Sequence, residues 1–77
     1  MKPTDAFAKT LKEYRNAKKI SQEELAAICD LDRTYISLLE RGKRNPSLEM
    51  VFALAKGLGI TPSTLIKTLE KKINENH

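Results

Sequence analysis

Residues 33 to 44, RTYISLLERGKR, gather the side chains of this chain best suited to chemistry. Arg33, Arg41, Lys43 and Arg44 supply cations; Thr34, Tyr35 and Ser37 supply hydroxyls. The chemistry on offer is recognition rather than bond-making. A guanidinium such as that of Arg33 pairs bidentately with guanine O6 and N7, and Thr34 and Ser37 can bond base edges or phosphates. The Thr34 methyl suits a thymine methyl. Tyr35 can reach a phosphate or a flanking base, or pack against a neighbouring helix. Arg41, Lys43 and Arg44 suit phosphates, and Arg44 is also within reach of a base. The sequence offers no paired-carboxylate site, nucleophile–base set or phosphate-cradling glycine loop, so no enzymatic activity is expected.

To be useful, these groups must share one face. With Ile36 set inward and about 100° added per residue, Leu39 falls about 60° to one side and Arg33 about 60° to the other. Thr34, Ser37, Leu38 and Arg41 then point outward and Tyr35 lies on the flank. A merely solvated helix face usually carries Glu and Lys. This one carries Thr, Ser, Leu and Arg, with Leu38 open to a thymine, a core or a dimer contact.

The elements around this face read as five helices with no strands. The first runs from about Thr4 to Ala17, with Phe7, Leu11 and Tyr14 at helical spacing. Ser21-Gln22-Glu23-Glu24 is a capping box opening the second, with Leu25, Ile28 and Cys29 as its buried stripe. Asp32 caps the third, and Gly42 ends it. Ser47 caps the fourth, whose stripe is Leu48, Val51, Leu54, Ala55 and Leu58, with Gly57 and Gly59 closing it. Thr61-Pro62 opens the fifth, about 62–74, lined by Leu65, Ile66, Leu69 and Ile73. Only Asp30 and Leu31 separate the second and third helices, so the two must cross steeply as a helix-turn-helix over about 21–41. Asp30 sits where a left-handed backbone is needed, a conformation Asp tolerates less well than Gly.

The 77 residues allow one domain, 1–77, with a small core. Cys29 is the lone cysteine and His77 the lone histidine, so neither an internal disulfide nor a zinc site is expected. Cys29 reads as a small buried hydrophobe and His77 as part of a frayed end. No apolar run spans a membrane and no secretory signal leads the chain, so the expectation is a cytoplasmic protein without a cofactor. The net charge of +4 favours polyanions without proving them. Lys18 and Lys19 read as solvated cations.

Three segments carry a resemblance: Gln22-Glu23-Glu24-Leu25-Ala26, Ile36-Ser37-Leu38-Leu39-Glu40-Arg41-Gly42 and Asn45-Pro46-Ser47-Leu48. Together they resemble the Cro/repressor (XRE-type) helix-turn-helix family from about residue 7 to 60. LDRTYISLLERGKRNPSL is most similar to the controller proteins of restriction–modification systems. The departure is Asp30, where Gly is usual. The resemblance implies an all-α, five-helix DNA-binding domain with its helix-turn-helix at helices 2 and 3. It implies DNA contacts at Arg33, Thr34 and Tyr35, a phosphate contact at Gln22, and an inward ion pair between Glu40 and Arg15.

One recognition helix reads few base pairs, so a homodimer on a pseudo-palindromic double-stranded operator is expected, with half-sites about 34–36 Å apart. Helix 5 is the expected interface: Leu65 mostly inward, Ile66 and Leu69 toward the partner, with Ile60 beside them. The implied function is a transcription regulator that activates, then represses, its own operon. Glu23 and Glu24 are candidate contacts for RNA polymerase, beside the capping role of Glu24. The alternatives are a phage-type repressor or antitoxin-like autorepressor, and a protein-interaction module without DNA binding.

Overall fold

The computed structural model describes residues 1–75; Asn76 and His77, and with them the expected frayed end, lie outside the described residues. Five helices appear in order: α1 Pro3–Ala17, α2 Gln22–Cys29, α3 Arg33–Glu40, α4 Leu48–Leu58 and α5 Pro62–Glu75. The described residues contain no strand.

Local chemistry sets the helix starts. Ser21 Oγ accepts from the Glu24 amide at 3.0 Å while the Ser21 amide donates to Glu24 Oε1 at 2.9 Å, a complete capping box. Asp32 Oδ1 accepts from the Thr34 amide at 3.0 Å, Ser47 Oγ from Met50 at 3.1 Å and Thr61 Oγ1 from Thr64 at 3.1 Å. Each satisfies an amide that the helix cannot.

The ends of α1 to α4 share one closure. Lys19, Asp30, Gly42 and Gly59 each take a positive φ, at 61°, 55°, 70° and 74°. The next residue's amide then bonds back to the final turn: Ile20 to Arg15 O, Leu31 to Ala26 O, Lys43 to Leu38 O and Ile60 to Ala55 O. This is the Schellman arrangement, which favours an apolar residue just past the left-handed one. Ile20, Leu31 and Ile60 fill that position and pack against the core. At the end of α3 the position holds Lys43, which is exposed.

The core runs through all five helices, and Leu11, Leu25, Ile36, Leu39, Leu54 and Leu65 are its largest fully enclosed apolar side chains. Buried Thr10 donates its hydroxyl to Ala6 O at 2.8 Å, so it adds no unsatisfied polar group. α1 packs against α3 and α5, and α2 against α3 and α4.

Four residues depart from the sequence reading. Ile28 and Leu48, expected in buried stripes, are exposed. On these short helices the neighbours cover a narrower arc than the apolar spacing suggests. Gly57 does not close α4; it lies inside the helix. A Cβ there would sit 2.5 Å from Cys29 Sγ, so its missing side chain lets α4 approach α2. Leu69, expected to face a partner, is only 9% exposed, and Leu65 is inward to the point of having no surface to give one.

Candidate nucleic-acid interface

The steep crossing of α2 and α3 is fixed at Asp30. Its left-handed backbone reverses the chain within two residues and lets Asp32 cap α3 at once. Ile36 and Leu39 anchor the inner side of α3 in the core. Arg33 and Thr34 therefore project fully outward, with Ser37, Tyr35 and Leu38 half-buried beside them. Tyr35 packs at the core's edge, leaving only part of its surface for a ligand.

Glu40 determines the sign of this face. Its side chain is 3% exposed and turned toward α1. Arg15 Nε donates to Glu40 Oε2 at 2.6 Å and Arg15 Nη2 to Glu40 Oε1 at 3.0 Å, a bidentate pair. Arg15 Nη1 donates to Ile20 O at 2.8 Å. Gln22 Nε2 adds a third bond to Glu40 at 3.1 Å. The hydrogen bonds that Arg15 donates to Glu40 push the Arg15 pKa above its ordinary value, against the opposing effect of burial. The acid is thus neutralised from inside, and the outer face keeps the cations of Arg33, Arg41, Lys43 and Arg44.

Gln22 stands at the first turn of α2, where amides lack helix partners. Its Oε1 lies 3.5 Å from Arg33 Nη1, at the outer limit of a hydrogen bond. Arg15, Ser21, Gln22, Glu23 and Arg33 line one shallow depression, so Gln22 and Arg33 face the same space. Arg41 is exposed, with its Nε 3.3 Å from Ser37 O on its own helix. Lys43 and Arg44 line a second depression with Lys2, Thr4, Asn45 and the exposed carboxylate of Asp5, and across it Thr4 Oγ1 donates to Asn45 Oδ1. The sequence reading missed Lys2: nothing local says that the start of α1 lies beside the loop after α3.

The second surface is apolar. Phe52 is 55% exposed and Ile66 44%, while Ile60 is half-buried. Phe52, Ala53, Ile60 and Pro62 line a groove between α4 and α5. Leu69 is almost enclosed and adds only an edge. Phe52 was missed by the sequence reading, though a signal existed: it is the aromatic of α4 that falls off the Val51–Leu54–Leu58 stripe.

Cys29 is half-buried, with Sγ 3.6 Å from Ala53 O, and burial pushes its thiol pKa up. A neutral, packed thiol suits the seam between α2 and α4 rather than nucleophilic work. Among the described residues no group of three or more His, Cys, Asp and Glu is placed to hold a metal, and no helix is long and apolar enough to cross a membrane.

Comparison with known proteins places this geometry. The helix-turn-helix family model matches residues 11–65. The control protein C.MunI of a Mycoplasma species is 49% identical over 67 residues, covering 86% of this chain and 90% of that protein. The crystal structure of the restriction–modification controller protein C.AhdI from Aeromonas hydrophila aligns with a TM-score of 0.78 at 45% identity, over 80% of this chain and 94% of that one. The controller protein C.Esp1396I, solved as a tetramer in complex with its natural 35 base-pair operator, aligns at 0.88 and 33% identity, over 95% and 96%.

Proposed function

The chain belongs to the helix-turn-helix family and, within it, to the restriction–modification controller proteins, which are DNA-binding regulators; from that premise we propose that it acts as a homodimer on a pseudo-palindromic operator controlling its own operon. Arg33, Thr34 and Ser37 read base edges in the major groove, with Tyr35 at the margin. Gln22, Arg41, Lys43 and Arg44 hold phosphates on either side. The chain carries out no catalytic step and acts in the cytoplasm.

The observation that carries this reading is the inward turn of Glu40. It removes the one acid of α3 from an outward face that otherwise offers only hydroxyls, apolar groups and cations. Phosphate contacts position a protein, and base contacts give it specificity. The layout of α3 separates the two: base-reading groups occupy its first turns, and phosphate groups its end and the following loop.

The dimer reading rests on the second surface. Phe52 of α4 and Ile66 of α5 are large apolar side chains left exposed, and half-buried Ile60 lines the same groove as Phe52. Two copies joined there would offer two recognition helices to successive major grooves. Occupancy at low concentration activates, and further occupancy represses. The exposed carboxylates at the start of α2, Glu23 above all, are the proposed contact for RNA polymerase, since Glu24 is engaged in the capping box.

Selection of bound sites from random duplex DNA tests the reading. A palindrome should emerge, and about five neutralised phosphates should give a slope of log K against log salt near −4.5. Binding without sequence preference and without salt dependence would remove the proposal.

A further inference from the structure

α1 stands between the two parts of the molecule that a dimer on DNA must hold at a fixed separation. It packs against α3 on one side and α5 on the other, while the principal neighbours of α5 are α1 and α4. Three consecutive residues near its end reach out in these two directions. Arg15 grips Glu40 of α3. The Tyr14 hydroxyl lies 2.8 Å from Thr68 Oγ1 of α5, and Glu13 pairs with Lys72 at 2.6 Å, one turn further along α5.

The direction of the Tyr14 bond follows from its partner. Thr68 Oγ1 donates to Thr64 O at 3.0 Å, so its proton is committed within α5. Tyr14 is therefore the donor. Its bond is directional, whereas the hydrophobic burial of Leu11, Leu65 and Leu69 in the shared core has no preferred direction.

We propose that Tyr14 is a specificity-determining positioning residue: through Thr68 it fixes the register of α5 on α1, and so sets the half-site spacing that the dimer accepts. The inference rests on the dimeric, palindrome-binding reading above. The lengths involved match. A slip of one residue along a helix is about 1.5 Å. Taken by both protomers it shifts the recognition helices by about 3 Å, close to the roughly 3.4 Å between successive base pairs. Arg15, the next residue on α1, keeps α3 fixed, so movement of α5 is passed to the spacing rather than absorbed by the reading head.

The test compares the full-length protein with Tyr14→Phe and Thr68→Val. Each is titrated against duplexes carrying the selected operator with its natural spacer, with one base pair added, and with one removed, and against a single half-site. The unaltered protein prefers the natural spacer. Both variants should weaken that preference by about fivefold, the scale of one net hydrogen bond. Half-site affinity and the dimer dissociation constant should stay unchanged. An unaltered spacer preference in both variants overturns the inference, as does an equal loss on half-site and full operator, which would make Tyr14 merely structural. If the unaltered protein is itself indifferent to spacer length, the dimer reading falls, and the inference with it.

Discussion

Glu13 and Arg15 lie two residues apart on α1, and each meets an opposite charge on another helix, yet the two pairs are built differently. Arg15 meets Glu40 in a nearly dry site, with two bonds between the groups and further bonds to Ile20 O and from Gln22. Glu13 meets Lys72 at 2.6 Å, with the Glu13 side chain 60% exposed. The first pair faces the reading head and the second faces the proposed dimer helix. A buried pair resists loss of either partner because the survivor is left charged and poorly solvated. An exposed pair is weakened by water and salt. Of the two ion pairs that leave the end of α1, the one to α3 is thus buried and multiply bonded and the one to α5 open to water on its Glu13 side.

Breaking the stronger side should have the largest effect. Glu40→Ala leaves Arg15 without its carboxylate and should cost about 3–5 kcal/mol of unfolding free energy, measured by urea denaturation. A loss below about 1 kcal/mol would put the two pairs on an equal footing and end the contrast. Arg33→Ala separates reading from scaffolding. It should relax preference at one operator position by about 1–3 kcal/mol in site selection, with the melting midpoint unchanged, because Arg33 is exposed. Unchanged specificity would mean that α3 docks in another register. Lys43→Ala should weaken all sequences alike and flatten the salt slope by about one unit. Glu13→Gln should have the smallest effect, about 1 kcal/mol or less, and that effect should vanish in high salt. A Glu13→Gln loss matching that of Glu40→Ala would show that exposure does not separate the two pairs.

Features governed by near neighbours were legible in the sequence. The caps at Ser21, Asp32 and Ser47 and the turn at Asp30 depend on residues two to four apart, and their chemistry can be read directly. Sidedness was harder. Ile28 and Leu48 carry the right spacing for burial, but whether a neighbour covers them depends on helices far along the chain. Gly57 misled for a different reason: one letter serves both a left-handed turn and a close helix approach, and here it serves the approach to Cys29. The pairing of Arg15 with Glu40 came only through family resemblance. The bond that Gln22 adds to Glu40 had no local signal, since 18 residues separate the partners. The loop-side position of Lys2 and the off-stripe Phe52 likewise needed the packed arrangement.

The inward turn of Glu40 also bears on how such a protein can change over generations. The residues that hold α3 in place, Ile36, Leu39 and Glu40, all point toward the body, while Arg33 and Thr34 touch little of it. On the proposed reading of α3, substitutions at the outward positions would retarget the protein to a new operator without unsettling its fold. A lineage that acquires a different restriction system can rewrite its address while keeping the same machine.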